Sequence, residues 1–393
     1  MKVVFVGPAY PLRGGIAQFN GILVRALRAR GHEVRLLTFT RQYPGLFFPG
    51  RTQTEEGSAP AGADVGAEAV LDSIGPLTWR RTAREIVRWG AEAVVFRYWM
   101  PFFAPCFGTI ARWIRGPDRI AVLYLCDNVV PHERRFMDGL LTRYALSSGD
   151  AFLVMTRAVE ADLRRYRPDA PAAVVPHPVF DHFGRSVDRD EARRALASRG
   201  IALASGGRPL LLFFGIVRPY KGLDVLLRAM PRIVRETGAG LVVAGEFYSG
   251  RDEAVRLVAD LRLEADVAIL DGYVPHDDVA IHMCAADVVV LPYRSATQSG
   301  IVQVAYQFDR PVIVTDVGGL AETVRDGETG LLVPPDDPEA LAVAVGRYFH
   351  EGMEESMRGR IRMSKGDFSW DRMAEALELL IAGVRSESGG SSR

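Results

Sequence analysis

Only three of the 48 basic residues in this 393-residue chain are lysines, Lys2, Lys221 and Lys365. Lys221 falls three positions after Arg218 in FFGIVRPYKG (213–222), directly behind an apolar run. A background that writes nearly every cation as arginine has placed a compact ammonium in a strand-end loop. A guanidinium fork and a point charge together suit a diphosphate whose charge grows as a bond to it breaks. The pair also fits a solvated cationic turn.

Three further segments carry residue types suited to the same work. In GPAYPLRGGIAQFN (7–20), Gly14 and Gly15 open a helix, where unpaired N–H groups attract phosphate oxygens; a tight turn needing glycine for geometry alone fits as well. Thr297, Gln298, Ser299 and Gly300 form a small polar loop ahead of another helix, a second phosphate cradle or a set of ordinary N-caps. LCDNVVPHERRF (125–136) gathers Asp127, Asn128, His132 and Glu133 behind a strand, where parallel sheets bind ligands. Of these, Asp127 and Asn128 are the candidates for substrate contact, and His177 in VVPHPVF reads as structural.

These loops need a scaffold of alternating short apolar runs and amphipathic stretches, the pattern of βαβ units. Strands are expected at 2–6, 33–39, 93–99, 120–125 and 151–155, then at 209–215, 240–245, 267–270, 287–292, 311–315 and 330–334. A helix at 16–30 puts Ile16, Phe19, Leu23, Ala26 and Leu27 on one face, and Gly31 stops it. Residues 57–68 lack apolar bulk and read as a mobile surface loop, and a polar stretch at 184–208 separates the two series. The last amphipathic helix is 370–384, with SESGGSSR after it read as flexible. The fold class is α/β, with two Rossmann-like lobes.

Composition narrows the functions. Lys+Arg and Asp+Glu balance at 48 each and apolar residues make up 48%, which excludes a disordered or nucleic-acid-coating chain. Cys106, Cys126 and Cys284 are widely spaced, with no CxxC and no zinc-type cluster, so a reducing cytosol is expected. The opening apolar run is too short for a signal peptide, and no window suits a membrane helix. Residues 1–182 hold 23 basic against 17 acidic side chains, so the first half is basic. Arg80, Arg81, Arg84 and Arg88, flanked by Trp79 and Trp89, form a segment suited to peripheral contact with an anionic membrane at its inner face, or to a helix with its arginines in water. No βα turn carries GxGxxG, so a nicotinamide cofactor is disfavoured.

Taken together, RGGI (13–16), GxxRPYKG (215–222), DGYVP (271–275) before ADVVVLPY (286–293), the run 309–337 and FSW (368–370) resemble the retaining, nucleotide-sugar-dependent glycosyltransferases of family 4. That resemblance covers nearly the whole chain and implies the GT-B architecture, two parallel-sheet lobes facing a central cleft. It implies an N-terminal acceptor-side lobe at 1–182, completed by a C-terminal helix at 366–393, and a donor-side lobe at 183–365. It also implies that Gly14, Gly15, Arg218, Lys221 and the amides of 297–300 contact the donor diphosphate, and that the backbone at Tyr273 and Val274 holds the base.

The chain departs from the family twice. The family's two glutamates would fall at Ala296 and Val304, leaving Gln303 as the nearest polar substitute for a ribose contact. Asp127 stands where the family places a histidine. The expected activity is transfer of a sugar, in the hexosyltransferase class, from a UDP- or GDP-linked donor to a glycan or lipid-linked glycan in polysaccharide or glycoconjugate synthesis. Configuration would be retained, without metal or bound cofactor. A nucleotide-sugar epimerase on the same fold and a degenerate nucleotide-sugar-binding protein are the alternatives.

Overall fold

A computed structural model of the chain describes residues 1–45, 52–54, 64–116, 120–131 and 136–390. It divides into two compact units, Met1–Pro178 with Ser369–Arg393, and Val179–Phe368. The expected boundaries at 182 and 365 shift to these positions. Val179 N–H donates to the Phe368 carbonyl at 2.8 Å, and the rings of His182 and Phe183 lie against His276, at 5.1 and 4.8 Å between centroids. Residues 179–183 and 366–368 therefore belong to the second unit.

The first unit is built on a parallel sheet in the order β3-β2-β1-β4-β5-β6-β7. Its strands are β1 (Lys2–Val6), β2 (Glu33–Arg41), β3 (Glu68–Asp72), β4 (Ala93–Tyr98), β5 (Ala121–Cys126), β6 (Ala151–Val154) and β7 (Ala172–Val174). β4 and β5 are buried along their whole length, as befits central strands covered on both faces. β3 and β7 are absent from the expected strands because EAVLD is charged at both ends with one buried residue, and AAV is only three residues long with none buried. β3 is held instead by ion pairs from β2, Arg35 to Glu68 and Arg41 to Asp72. β3 also claims Glu68 from the segment read as a mobile loop; residues 57–63 of that segment lie outside the described residues.

Helix α1 (Gly15–Ala29) buries Phe19, Leu23 and Leu27 as expected. The final helix, α14 (Trp370–Gly390), packs on α1 and on β5, β6 and β7. Trp370 meets Phe19 edge-on at 4.8 Å. The expected flexible tail is helical as far as Gly390, with Arg385 paired to Glu92.

The second unit has a parallel sheet in the order β10-β9-β8-β11-β12-β13. Its strands are β8 (Leu210–Phe214), β9 (Gly240–Gly245), β10 (Val267–Asp271), β11 (Val288–Leu291), β12 (Val312–Thr315) and β13 (Gly330–Val333). The remaining helices used below are α2 (Pro76–Trp89), α6 (Arg189–Ser198), α7 (Leu223–Thr237), α10 (Gly300–Gln307), α12 (Pro338–His350) and α13 (Glu354–Ser364). All three cysteines are buried and unbridged. Among the described residues no helix is long and apolar enough to cross a membrane.

Candidate functional site

In the second unit the loops after β8, β11 and β12 are locked together at the carboxyl ends of their strands. Gly222, at φ 67°, lies where a Cβ would overlap the Pro292 carbonyl oxygen, and Gly318, at φ 51°, bears the same relation to the Ala296 carbonyl. Only glycine permits both the backbone angle and the close approach. Arg294 adds a polar staple: its N–H donates to the Tyr220 carbonyl at 2.7 Å, and its guanidinium reaches Asp224 at 2.8 Å, Asp336 at 2.6 Å and the Pro219 carbonyl at 2.9 Å.

Arg218 and Lys221 project from this frame, half-buried. The Arg218 guanidinium lies 5.0 Å from the Tyr248 ring centroid and Lys221 Nζ lies 5.4 Å from that of Tyr293. Among the described residues neither has a carboxylate partner, in a chain rich in Arg–carboxylate pairs. Burial, reinforced by the neighbouring Arg218 charge, pulls the Lys221 ammonium down from 10.5 to about 8.

Thr297, Gln298, Ser299 and Gly300 are half-exposed where the loop after β11 enters α10, and no side chain caps that helix. One turn further on, Gln303 is 1% exposed, and its amide oxygen has no hydrogen-bond partner among the described residues. Ala296 and Val304, the positions the family gives to glutamate, are buried and apolar. Tyr273 is exposed and Val274 half-buried beyond the edge strand β10, two strands away from β8. Glu246, immediately after β9, is 4% exposed, and its carbonyl accepts from Val217 N–H at 2.9 Å.

In the first unit Gly14 caps α1 at φ 109° without a side-chain bond, and the space above Gly14 and Gly15 is open. Asn20 on α1 donates to the Pro8 carbonyl at 2.8 Å and ties the preceding loop down. Asp127 does stand at the end of β5, but both of its oxygens are taken by Arg97 of β4, one of them by Nε at 2.7 Å. Arg97 is 1% exposed and Asp127 6%. The signal for this pair was the single cation inside the apolar run AVVFRYW. Asn128 donates weakly to the Trp99 carbonyl, at 3.4 Å. His132 and Glu133 lie outside the described residues.

The Arg97 guanidinium lies 3.9 Å from the Phe19 ring centroid, and His177 meets the same ring edge-on at 5.0 Å. Burial, with the Arg97 charge adding to it, pushes the His177 imidazole down to about 3, so it is neutral and packs as a structural residue. The tryptophans flanking the four-arginine segment do not face solvent as a membrane anchor would. Trp79 and Trp89 pack against the core, Trp79 donating to the Asp72 carbonyl at 2.7 Å. Arg80, Arg81, Arg84 and Arg88 are exposed on α2.

Residues 14–178 match the model of the glycosyl transferase 4-like domain, and residues 208–351 match that of glycosyl transferases group 1. D-inositol 3-phosphate glycosyltransferase of Acidothermus cellulolyticus is 32% identical over 232 residues, 55% of this chain and 48% of that protein. Its counterpart in Actinosynnema mirum is 33% identical over 66% of this chain and 63% of its own. Glycogen synthase of Thermus thermophilus is 33% identical over 48% and 42%. The matches span roughly half the length of these curated relatives.

The fold is that of sucrose-phosphate synthase from Thermosynechococcus elongatus, with TM-score 0.73 and 20% identity over 98% of this chain and all of the other. It is also that of Anabaena HepE, solved with UDP and glucose, with TM-score 0.73 and 14% identity over the same shares. With a family match in each of two Rossmann-like units, the chain belongs to the family 4 type of glycosyltransferases, of GT-B fold.

Proposed function

We propose that this protein moves a sugar from a nucleotide-sugar donor to a glycan or lipid-linked glycan acceptor. The observation that carries the proposal is the pair of half-buried cations, Arg218 and Lys221, without carboxylate partners among the described residues, in the same interlocked loop frame as the N-terminus of α10. In the proposed step the bond from the anomeric carbon to the diphosphate oxygen breaks, and a bond to the acceptor oxygen forms on the same face. The acceptor proton passes to the departing diphosphate, so configuration is retained. Arg218, Lys221 and the amides of 297–300 stabilise the charge that grows on the diphosphate, a role otherwise given to a metal ion.

The unpartnered amide oxygen of Gln303 accepts from a ribose hydroxyl in this scheme, and the backbone at Tyr273 and Val274 holds the base. Gly14 and Gly15 offer amides to a phosphoryl or acceptor oxygen. Asp127 acts through Arg97, whose orientation it fixes. The exposed arginines of α2, none with an ion-pair partner among the described residues, support contact with an anionic membrane where a lipid-linked acceptor resides.

A thermal-shift screen against UDP- and GDP-sugars tests the donor class, because a ligand at 100 times its Kd stabilises by ~2.7 kcal/mol. Stabilisation by one donor, followed by turnover in EDTA to a product of unchanged anomeric configuration, is expected. No stabilisation by any nucleotide sugar overturns the proposal. The apolar residues at Ala296 and Val304 favour one competing reading, binding without turnover. Donor binding with no transfer across a broad acceptor panel would establish that instead.

A further inference from the structure

At the other end of the second sheet, the amino-terminal ends of β11 and β12, lies a cavity of about 650 Å³. Arg310, Arg189 and Arg358 line it, from the turn before β12, from α6 and from α13. Arg310 is 3% exposed. Among the described residues its Nε has no hydrogen-bond partner, and its Nη1 reaches Glu354 only at 3.5 Å. The same Glu354 is bound closely by Arg189 and lies 4.0 Å from Arg358, whose Nε is likewise unpartnered. The other carboxylates here are shared as well, Asp287 between Arg189 and Arg193, each at 2.8 Å, and Glu355 between Arg358 and Arg362, at 3.4 and 3.5 Å. Four guanidinium groups, those of Arg189, Arg193, Arg310 and Arg358, thus share three carboxylates among the described residues, and Arg310 reaches only Glu354, at 3.5 Å. Burial pulls the Arg310 pKa below its ordinary value, with the charges of Arg189 and Arg358 acting in the same sense.

A buried guanidinium with unmade hydrogen bonds is costly to hold, and the missing partner is an oxyanion. Guanidinium groups converging from three elements suit a tetrahedral group better than a planar carboxylate, because three oxygens can be met from different sides. The rim is acidic. Asp188 is engaged in capping α6, at 2.9 Å to Asp190 N–H, Asp190 is exposed, and Glu355 lies 3.4 Å from Arg358. Such a rim repels an extended polyanion but accepts hydroxyl donors, and the volume exceeds what a lone phosphate fills.

We propose that this cavity is a second anion site, one that receives the phosphoryl group of a small phosphate monoester, with a hydroxylated remainder against the rim. It is independent of the donor loops, which stand at the opposite ends of the strands.

Calorimetric titration tests this with inorganic phosphate, glucose 6-phosphate and, as the neutral control, glucose. The proteins compared are the parent chain, Arg310→Met, Arg358→Gln and the donor-loop variant R218A/K221A. Expected is binding of glucose 6-phosphate that weakens by about tenfold or more in either cavity variant, the effect of one lost charge-assisted bond, and persists in R218A/K221A. Tighter binding of the ester than of phosphate identifies a metabolite, and equal affinities identify the free ion; both uphold the site. The ligand-free melting temperature of Arg310→Met is expected to hold or rise, because the variant removes an undercompensated charge. Absence of binding, binding lost only in R218A/K221A, glucose binding as well as its ester, or a lower melting temperature with unchanged affinity in Arg310→Met overturns the proposal. Arg358→Gln keeps the test open if Arg310→Met does not fold.

Discussion

Lys221 holds its ammonium 5.4 Å from the centre of the Tyr293 ring, and the charge that acts on it is that of another cation, Arg218. With its pKa drawn from 10.5 to about 8, Lys221 is charged below that pH and neutral above it. A diphosphate binds the charged form. Donor affinity should therefore fall as pH rises through about 8, a dependence that calorimetry over pH 7 to 10 reads directly and that Lys221→Ala abolishes. Turnover by Lys221→Ala and by Arg218→Ala should drop ~10²–10³-fold, as for loss of a donor to a developing oxyanion.

The Arg97–Asp127 pair is expected to behave as a buried ion pair. Removing one partner, in Arg97→Met or Asp127→Asn, leaves the other unpaired and should cost ~3–5 kcal/mol in urea unfolding. Replacing both, in R97M/D127L, should cost much less than the sum. Additive losses would show that the two do not act as a unit.

Gly222→Ala and Gly318→Ala each place a Cβ onto a carbonyl oxygen at a positive φ. Each should lower stability by more than ~1 kcal/mol. An alanine accepted at Gly222 without loss would mean that the loops after β8 and β11 are not packed as described.

Glu378 on α14 accepts from Arg30 at 2.6 and 2.7 Å and lies 2.7 Å from His32 Nε2, and these bonds hold its carboxyl down from 4.5 to about 2. A folded-state pKa below the unfolded value adds stability above pH 4.5 that is lost as pH falls towards 2. His177, depressed from 6.5 to about 3, makes folding progressively less favourable from pH 6.5 downwards. Unfolding free energy should decline from about pH 6.5 and more steeply below 4.5. Glu378→Gln should flatten the lower part, by about 1 kcal/mol or less for so solvated a cluster.

Membrane contact, if made by α2, is electrostatic, because its tryptophans are packed inward. Four arginines at ~1 kcal/mol each should give binding to anionic vesicles that weakens with salt. Charge reversal to Glu at 80, 81, 84 and 88 should eliminate it. Binding that survives the reversal assigns the contact to another surface.

The two sheets and the loops at their carboxyl ends were legible in the sequence because central parallel strands must be apolar throughout, and the ligand loops follow them. β3 and β7 were not, since EAVLD buries one residue and AAV none, whereas the edge strands β10 and β13 carry the apolar runs VAIL and GLLV. Arg218, Lys221 and the 297–300 loop could be named from residue type alone. The engagement of Asp127 could not, because its partner lies 30 residues earlier on a neighbouring strand. Nor could the cavity around Arg310, whose arginines come together only when α6, the turn before β12 and α13 are packed.

The first unit takes its last helix from the far end of the chain, after the whole of Val179–Phe368. During synthesis at about 5–20 residues per second, the faces of α1 and β5–β7 that α14 covers wait roughly 10–40 s for it. In that interval Phe19 lacks its Trp370 neighbour. The nascent first unit is thus the period of greatest exposure to aggregation and to chaperone capture, and it ends only when α14 has cleared the ribosome.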